Sequence, residues 1–229
     1  LEALARWRRE NGEPVAPADF IALAEETGII VPLGSWVLRR ALEQLREWRE
    51  AAGDRTDLMV SVNVSGRQLA RVDLVDEVKA ALADTGIPPG LLKLEITETV
   101  LVDDLAPIGE VLRNLRRIGV GLWLDDFGTG YSSLSYLNRF RFEALKIDRS
   151  FVASIDEEPE RQATVRAIVA LARGLGMKSV AEGVETDAQL RRLSALRCDY
   201  AQGHLISLPL GHQAVTQLLH RFAVPTTPR

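Results

Sequence analysis

Polar residues recur at the ends of short aliphatic runs along this chain: Asn63, Glu95, Glu98, Asp125, Asp126, Lys146, Asp148, Glu182, Glu185 and Gln202. Glu2 joins them if Leu1–Trp7 belongs to a further strand. Carboxylates converging on one mouth repel one another unless a cation compensates. Hard divalent cations prefer this donor set of carboxylate and amide oxygens. With one Cys and three His in the whole sequence, a zinc cluster is not on offer, and Mg²⁺ or Mn²⁺ is the expected ion. The adjacent pair Asp125-Asp126 suits two bridged metals, as in hydrolysis of phosphate esters. Lys146 in the same mouth could neutralise a phosphate oxygen or position the attacking water.

Taken singly, each feature has an ordinary structural explanation. An Asp-Asp pair fits a solvated loop, and a lysine at a strand end fits a salt bridge. The run Asp126-Phe127-Gly128-Thr129-Gly130 fits a plain turn, and Glu182-Gly183-Val184-Glu185 fits a helix cap. Their joint placement at successive strand ends is what favours a site.

The elements that must position these groups are legible from periodicity. Strand-like runs are expected at Leu58–Ser65, Leu92–Thr97, Gly121–Asp125, Ala144–Ile147, Ser179–Ala181 and, more weakly, Asp199–Gln202. Helical spacing is expected at Trp36–Ala51, Leu105–Leu115, Thr164–Leu175 and His212–Phe222, and Asp187 is expected to cap a helix reaching Leu196. Repeated strand–helix alternation implies a parallel α/β architecture. Within the strands, Val60, Val62 and Val64 oppose Ser61, Asn63 and Ser65. Likewise Leu92, Leu94 and Ile96 oppose Lys93, Glu95 and Thr97. One aliphatic face and one polar face suit a barrel with a functional mouth at its strand C-termini better than an open sheet covered on both sides.

Composition bounds the remaining possibilities. The 229 residues carry 28 Lys+Arg against 32 Asp+Glu, a net charge of −4, which argues against a nonspecific nucleic-acid binder. No apolar run approaches the ~20 residues of a membrane span, and the first residues lack a secretory-signal pattern. The opening Leu1, without Met, leads us to expect part of a longer protein.

The ordered motifs resemble the EAL domain, a bacterial phosphodiesterase of the second messenger cyclic di-GMP. They are Glu2-Ala3-Leu4 with Arg6-Trp7, Asp19-Phe20-Ile21, Ala24-Glu25-Glu26-Thr27-Gly28, Ser61-Val62-Asn63-Val64-Ser65 and Leu94-Glu95-Ile96-Thr97-Glu98. Asp125-Asp126-Phe127-Gly128-Thr129-Gly130-Tyr131-Ser132-Ser133 follows, then Leu145-Lys146-Ile147-Asp148-Arg149-Ser150-Phe151, Ala181-Glu182-Gly183-Val184-Glu185-Thr186 and Gln202-Gly203. The resemblance implies a modified TIM-type (β/α) barrel with one antiparallel strand. It places the family's first strand upstream of residue 1 and the domain at 1–222, while Pro225-Thr226-Thr227-Pro228 leads us to expect a flexible tail at 223–229.

By the same resemblance, Glu2, Asn63, Glu95, Asp125 and Asp126 are expected metal ligands, with Asp125 bridging two ions. Lys146, Glu182 and Glu185 are the expected catalytic groups. Arg6, Gln202 and Asp148 are expected to contact substrate, and Glu98 to steady the Asp-Asp-Phe-Gly loop. The implied reaction is hydrolysis of cyclic di-GMP to linear pGpG. A homodimer and an upstream sensory or diguanylate cyclase-like domain are the implied partners. The implied location is the cytoplasm, with the parent protein open to membrane anchoring. The sequence departs from the family at His204, where Tyr is usual, and at Leu208, where a basic residue is common. A receptor that binds cyclic di-GMP without cutting it, and signals to a partner domain, is the alternative. A lyase using Lys146 as a Schiff-base nucleophile fits less well, because surrounding carboxylates favour the charged amine.

Overall fold

A computed structural model describes residues 1–51, 58–103, 105–129 and 135–223. The chain divides into two compact units. In chain order the first contains β1 (Glu2–Ala3), β2 (Trp7–Arg8), β3 (Pro14–Val15), α1 (Pro17–Thr27), α2 (Ile30–Ala51) and β4 (Val60–Asn63). It continues through α3 (Gly66–Leu69) and α4 (Leu74–Thr85) to the first half of β5 (Leu92–Thr97). The second unit takes over within β5. It contains α5 (Val100–Asp103), most of α6 (Leu105–Arg117), β6 (Gly121–Phe127), α7 (Ser135–Phe140), β7 (Ala144–Ile147), α8 (Arg149–Val152) and α9 (Pro159–Gly174). β8 (Lys178–Ala181), α10 (Asp187–Ala195) and β9 (Tyr200–Ala201) complete it, and α11 (His212–Ala223) returns to the first unit. The sheet order is β1-β4-β5-β6-β7-β8-β9.

In the first unit β1 lies parallel to β4, with Glu2 opposite Ser61 and Ala3 opposite Val62. The backbone bond from Ser61 N–H to the Leu1 carbonyl (2.8 Å) belongs to the same ladder. Helix α2 buries Ile30, Gly34, Leu38, Ala41, Leu42, Leu45 and Trp48, the three- and four-residue rhythm of a single apolar face. It starts at Ile30, six residues before the expected Trp36, and Trp36 itself is exposed. The Trp48 indole N–H donates to Thr216 Oγ1 of α11 at 3.0 Å, so this large ring is buried without stranding its donor. Gly34 is small because Gln68 requires the room: a Cβ there would sit 2.1 Å from the Gln68 amide nitrogen. That amide closes a capping box with Ser65, which starts α3 directly after the strand bearing Asn63. β2 and β3 form a separate antiparallel pair that periodicity does not reveal, each being two residues long.

In the second unit β6, β7, β8 and β9 are mutually parallel. Parallel neighbours need crossover connections, supplied here by α7, by α8 with α9, and by α10. All four residues of β7 are buried, Lys146 among them. Beyond the strands, Glu182 N–H donates to the Ile147 carbonyl and Gln202 N–H to the Ala181 carbonyl, so the ladder fixes the backbone where polar residues begin. Helix α10 starts one residue earlier than expected. Thr186, not Asp187, is the cap, because its hydroxyl accepts from Gln189 N–H while the Gln189 side chain closes the capping box. The expected tail lies outside the described residues from 224 onward, as does Gly130–Ser133 of the Asp-Asp-Phe-Gly motif. Among the described residues no helix is long and apolar enough to cross a membrane.

Asp199 fastens the approach to β9. Its carboxylate accepts from Ser179 N–H (3.0 Å), Ser179 Oγ (3.0 Å) and Lys178 Nζ (2.8 Å). Burial alone would push this carboxyl up, but the bonds from Lys178 and Ser179 outweigh it and hold it below its usual value. A depressed carboxyl stabilises the fold above the unfolded-state value, ~3.9, and that contribution fades as pH falls through the folded one. Asp199→Asn is therefore expected to lower the melting midpoint at pH 7 by ~3 °C, or about 1 kcal/mol. The gap to wild type should close as the pH is lowered towards 3 in thermal melts. A gap independent of pH would remove Asp199 from this role.

Candidate active site

Lys146 stands at the centre of the second unit's polar groups. Its ammonium is 1% exposed and lies 2.6 Å from Glu95 Oε2, 2.7 Å from Glu182 Oε1 and 3.2 Å from Asp125 Oδ1. An ammonium has three N–H donors, and here three carboxylates meet it. Glu95 is the most deeply placed of these, with a side chain 0% exposed, whereas Glu182 is 19% exposed. Charges this deep persist only when paired. An amine held in three ion pairs is poorly suited to attack a carbonyl, which removes the Schiff-base reading.

The two aspartates reach the same neighbourhood through an irregularity in β6. Successive residues of a regular strand point to opposite faces, so neighbouring carboxylates would part. Between Leu124 and Phe127, three residue steps on β6 answer two on β7, and the register shifts. Asp126 adopts φ 54°, a left-handed conformation uncommon for a non-glycine residue. As a result, ligand atoms of Asp125, Asp126 and Glu182 all lie within 4.8 Å of one another. Burial first, then the charges of Asp125 and Asp148, pushes the Asp126 carboxyl above its usual range, against the pull of Lys146 and Arg149. The distortion satisfies its own backbone: Asp126 N–H donates to Asp125 Oδ1 at 2.9 Å, and the Asp126 carbonyl accepts from Thr129 Oγ1 at 2.8 Å.

Glu98 braces this turn from both ends. Its N–H donates to the Asp125 carbonyl (3.1 Å), and its Oε2 accepts from Gly128 N–H (3.0 Å). Gly128 has φ 98°, and a Cβ there would come 2.8 Å from the Phe151 ring. Asp148, at the end of β7, uses Oδ1 to cap α8 by accepting from Ser150 N–H at 3.0 Å. Arg149, which the sequence pattern does not single out, adds positive charge beside Asp126. Its only sequence signal is adjacency to Asp148 within Lys146-Ile147-Asp148-Arg149.

Glu95, Asp125, Asp126, Lys146 and Glu182 are thus brought together, with Glu98 bracing and Asp148 close enough to influence Asp126. Glu185 is exposed, at the far end of the loop that follows Glu182. Gln202 is half-buried just beyond β9, and its carbonyl accepts from Val184 N–H. In the first unit, Asn63 Nδ2 donates to Glu2 Oε1 at 3.0 Å, and Arg6 is exposed. His204 and Leu208 are both exposed.

The donor set fits a hard divalent cation. Three carboxylates meet one ammonium and Asp126 lies beside two of them, so acids outnumber the cation they pair with, and all the candidate donors are oxygens.

Comparison with known proteins agrees with this geometry. The EAL domain family model matches residues 1–209. The cyclic di-GMP phosphodiesterase NbdA of Pseudomonas aeruginosa is 43% identical over 228 residues, 100% of this chain and 29% of that protein. The bifunctional diguanylate cyclase/cyclic di-GMP phosphodiesterase MucR of the same organism is 44% identical over 210 residues, covering 92% of this chain and 30% of that protein. The chain therefore spans less than a third of either relative. Among solved structures, the PaMucR phosphodiesterase in complex with c-di-GMP superposes with a TM-score of 0.88 at 43% identity, covering 93% of this chain and 86% of that one. The EAL enzyme Bd1971, bound to cAMP and cyclic di-GMP, gives 0.91 at 33% identity, covering 95% and 59%. The fold class is accordingly the modified TIM-type (β/α) barrel expected from the sequence. On these grounds the chain belongs to the EAL domain family.

Proposed function

We propose that this chain hydrolyses one phosphodiester of cyclic di-GMP to give linear pGpG, using two Mg²⁺ or Mn²⁺ ions. The observation that carries the reading is the buried Lys146 with Glu95, Asp125 and Glu182 around it and Asp126 beside them. Glu95, Asp125 and Asp126 are the proposed metal ligands in the second unit. Glu2 and Asn63, bonded to each other in the first, are proposed as ligands from the resemblance. When bound, the ions supply Lewis-acid stabilisation of charge on the phosphoryl oxygens.

The chain's own residues account for the remaining chemistry. Glu182 is held by Lys146 yet reaches solvent, which suits a carboxylate that orients the attacking water and accepts its proton. The water oxygen bonds to phosphorus as the P–O3′ bond breaks, and the departing 3′-oxygen is protonated to the hydroxyl of pGpG. Lys146 keeps the carboxylates in place and balances charge near the phosphate. Glu98 holds the Asp125–Gly128 turn. Arg6, Asp148 and Gln202 are proposed to contact substrate, with Glu185 a further member of the site. In the parent protein we propose a cytoplasmic location, a homodimer, and a sensory or diguanylate cyclase-like domain upstream. The name of the MucR relative supports that last point.

Chromatography of nucleotides after incubating the chain with cyclic di-GMP and Mg²⁺ tests the reaction. pGpG is expected, with turnover stopping in EDTA and returning when Mg²⁺ is restored. Intact nucleotide that co-elutes with the protein would replace the enzyme by a receptor. Asp125→Ala and Glu2→Ala are each expected to reduce turnover by at least ~10³-fold, and near-wild-type rates for either would overturn the ligand assignment.

Lys146→Ala is expected to abolish turnover and also to lower stability by about 3 kcal/mol, because it strands buried carboxylates. Denaturant titration measures the second effect. An unchanged midpoint would show that the ammonium does not hold the cluster.

A further inference from the structure

The geometry points to Gln189 as a positioning residue for the site, a role that rests on the phosphodiesterase reading above. Gln189 lies in the first turn of α10 and is 5% exposed. Its Oε1 accepts two backbone N–H groups, from Glu185 at 2.7 Å and Thr186 at 3.0 Å. Its Nε2 donates to the Ala153 carbonyl at 2.8 Å. Ala153 is the residue on which α8 ends, and α8 begins directly after Asp148. One side chain therefore ties the loop running from Glu182 to Thr186 onto the short helix that follows β7.

Helix capping alone does not explain this residue. A capping box needs only an acceptor at this position for the Thr186 N–H, and a glutamate would provide one. Gln189 makes two bonds beyond that requirement. The bond to Glu185 is the shorter of its two accepted bonds, and the bond to Ala153 spans 36 residues of sequence. Only a side chain that accepts and donates at once can make all three.

The rest of the loop is anchored on other sides. Glu182 N–H holds the Ile147 carbonyl, and Val184 N–H holds that of Gln202. At Gly183 (φ 68°) a Cβ would approach the Arg149 Cβ to 2.6 Å, so the loop lies directly against α8. Gln189 supplies the fastening between these anchors and α10. Through it, the Glu182 carboxylate keeps its 2.7 Å approach to Lys146.

Gln189→Glu is the diagnostic variant: it is nearly isosteric, keeps the acceptor and loses the donor. With cyclic di-GMP and Mg²⁺, its kcat is expected to fall ~10–100-fold while KM stays within ~3-fold, since a displaced catalytic group affects the chemical step more than binding. Thr186→Ala removes the hydroxyl cap alone, and it is expected to keep kcat within ~3-fold of wild type even where it lowers the melting midpoint as much. Wild-type kcat in Gln189→Glu, or an equal loss in Thr186→Ala, would overturn the proposal. Amide hydrogen exchange provides a readout independent of turnover. Exchange at Glu185 and Thr186 is expected to accelerate at least ~10-fold in Gln189→Ala, and unchanged exchange would overturn the positioning role. A wild-type chain that does not hydrolyse the nucleotide would end the phosphodiesterase reading, while the exchange result still decides whether Gln189 fixes the loop.

Discussion

Burying the Lys146 ammonium among carboxylates is the constraint on which the remaining arrangement of the second unit depends. The lysine sits in a strand that is otherwise aliphatic and wholly buried, so its charge must be met locally. Glu95 from β5, Asp125 from β6 and Glu182 beyond β8 meet it, and each comes from a different strand end. The pairing works in both directions, because the carboxylates would repel one another without the cation they surround. Sheet order and charge balance are therefore two aspects of one arrangement: β6 and β8, the parallel neighbours of β7, lead to Asp125 and Glu182, and β5, one strand further along, carries Glu95.

Loops that carry polar residues must also be held, and each unit uses the same device once. Ser65 with Gln68 and Thr186 with Gln189 are capping boxes that start a helix soon after a strand leading to proposed site residues. In both, a glutamine fills the position where an acid would suffice for capping. Both glutamines are buried. Gln68 lies against Gly34, where even a methyl group would collide, and Gln189 reaches Ala153. At α10 the helix start doubles as a clamp on the preceding loop.

The sequence made the site more legible than the details of its support. A lysine within Ala144–Ile147 and acids at successive strand ends stand out because such residues are costly in buried runs. They also fall into an ordered series that identifies the family. The β6 irregularity was not legible, since Gly121–Asp125 reads as an ordinary strand and nothing in Asp125-Asp126 announces a register shift. Nor did periodicity find the true cap of α10: Asp187 and Thr186 are both good caps, and only the Gln189 partner decides between them. Helix α2 begins before its rhythm is visible because its first turns expose Pro32 and Trp36. Glu2 and Asn63 read as strand-end acceptors, and the hydrogen bond between them appears only once β1 is paired with β4.

The surplus residue in β6 is confined to a short stretch. Pairing is regular at Trp123 with Ala144 and at Leu124 with Leu145, and it resumes at Phe127 with Ile147. The distortion thus has a definable boundary, and the backbone groups it displaces find partners within it at Asp125 and beside it at Thr129 and Glu98. The acid pair is consequently not portable as two aspartates. Moving it to another parallel sheet would mean transplanting Leu124–Phe127 with the facing Leu145–Ile147 and the bracing Glu98 and Thr129, since the mismatch between the two segments, rather than either segment alone, is what brings both carboxylates together.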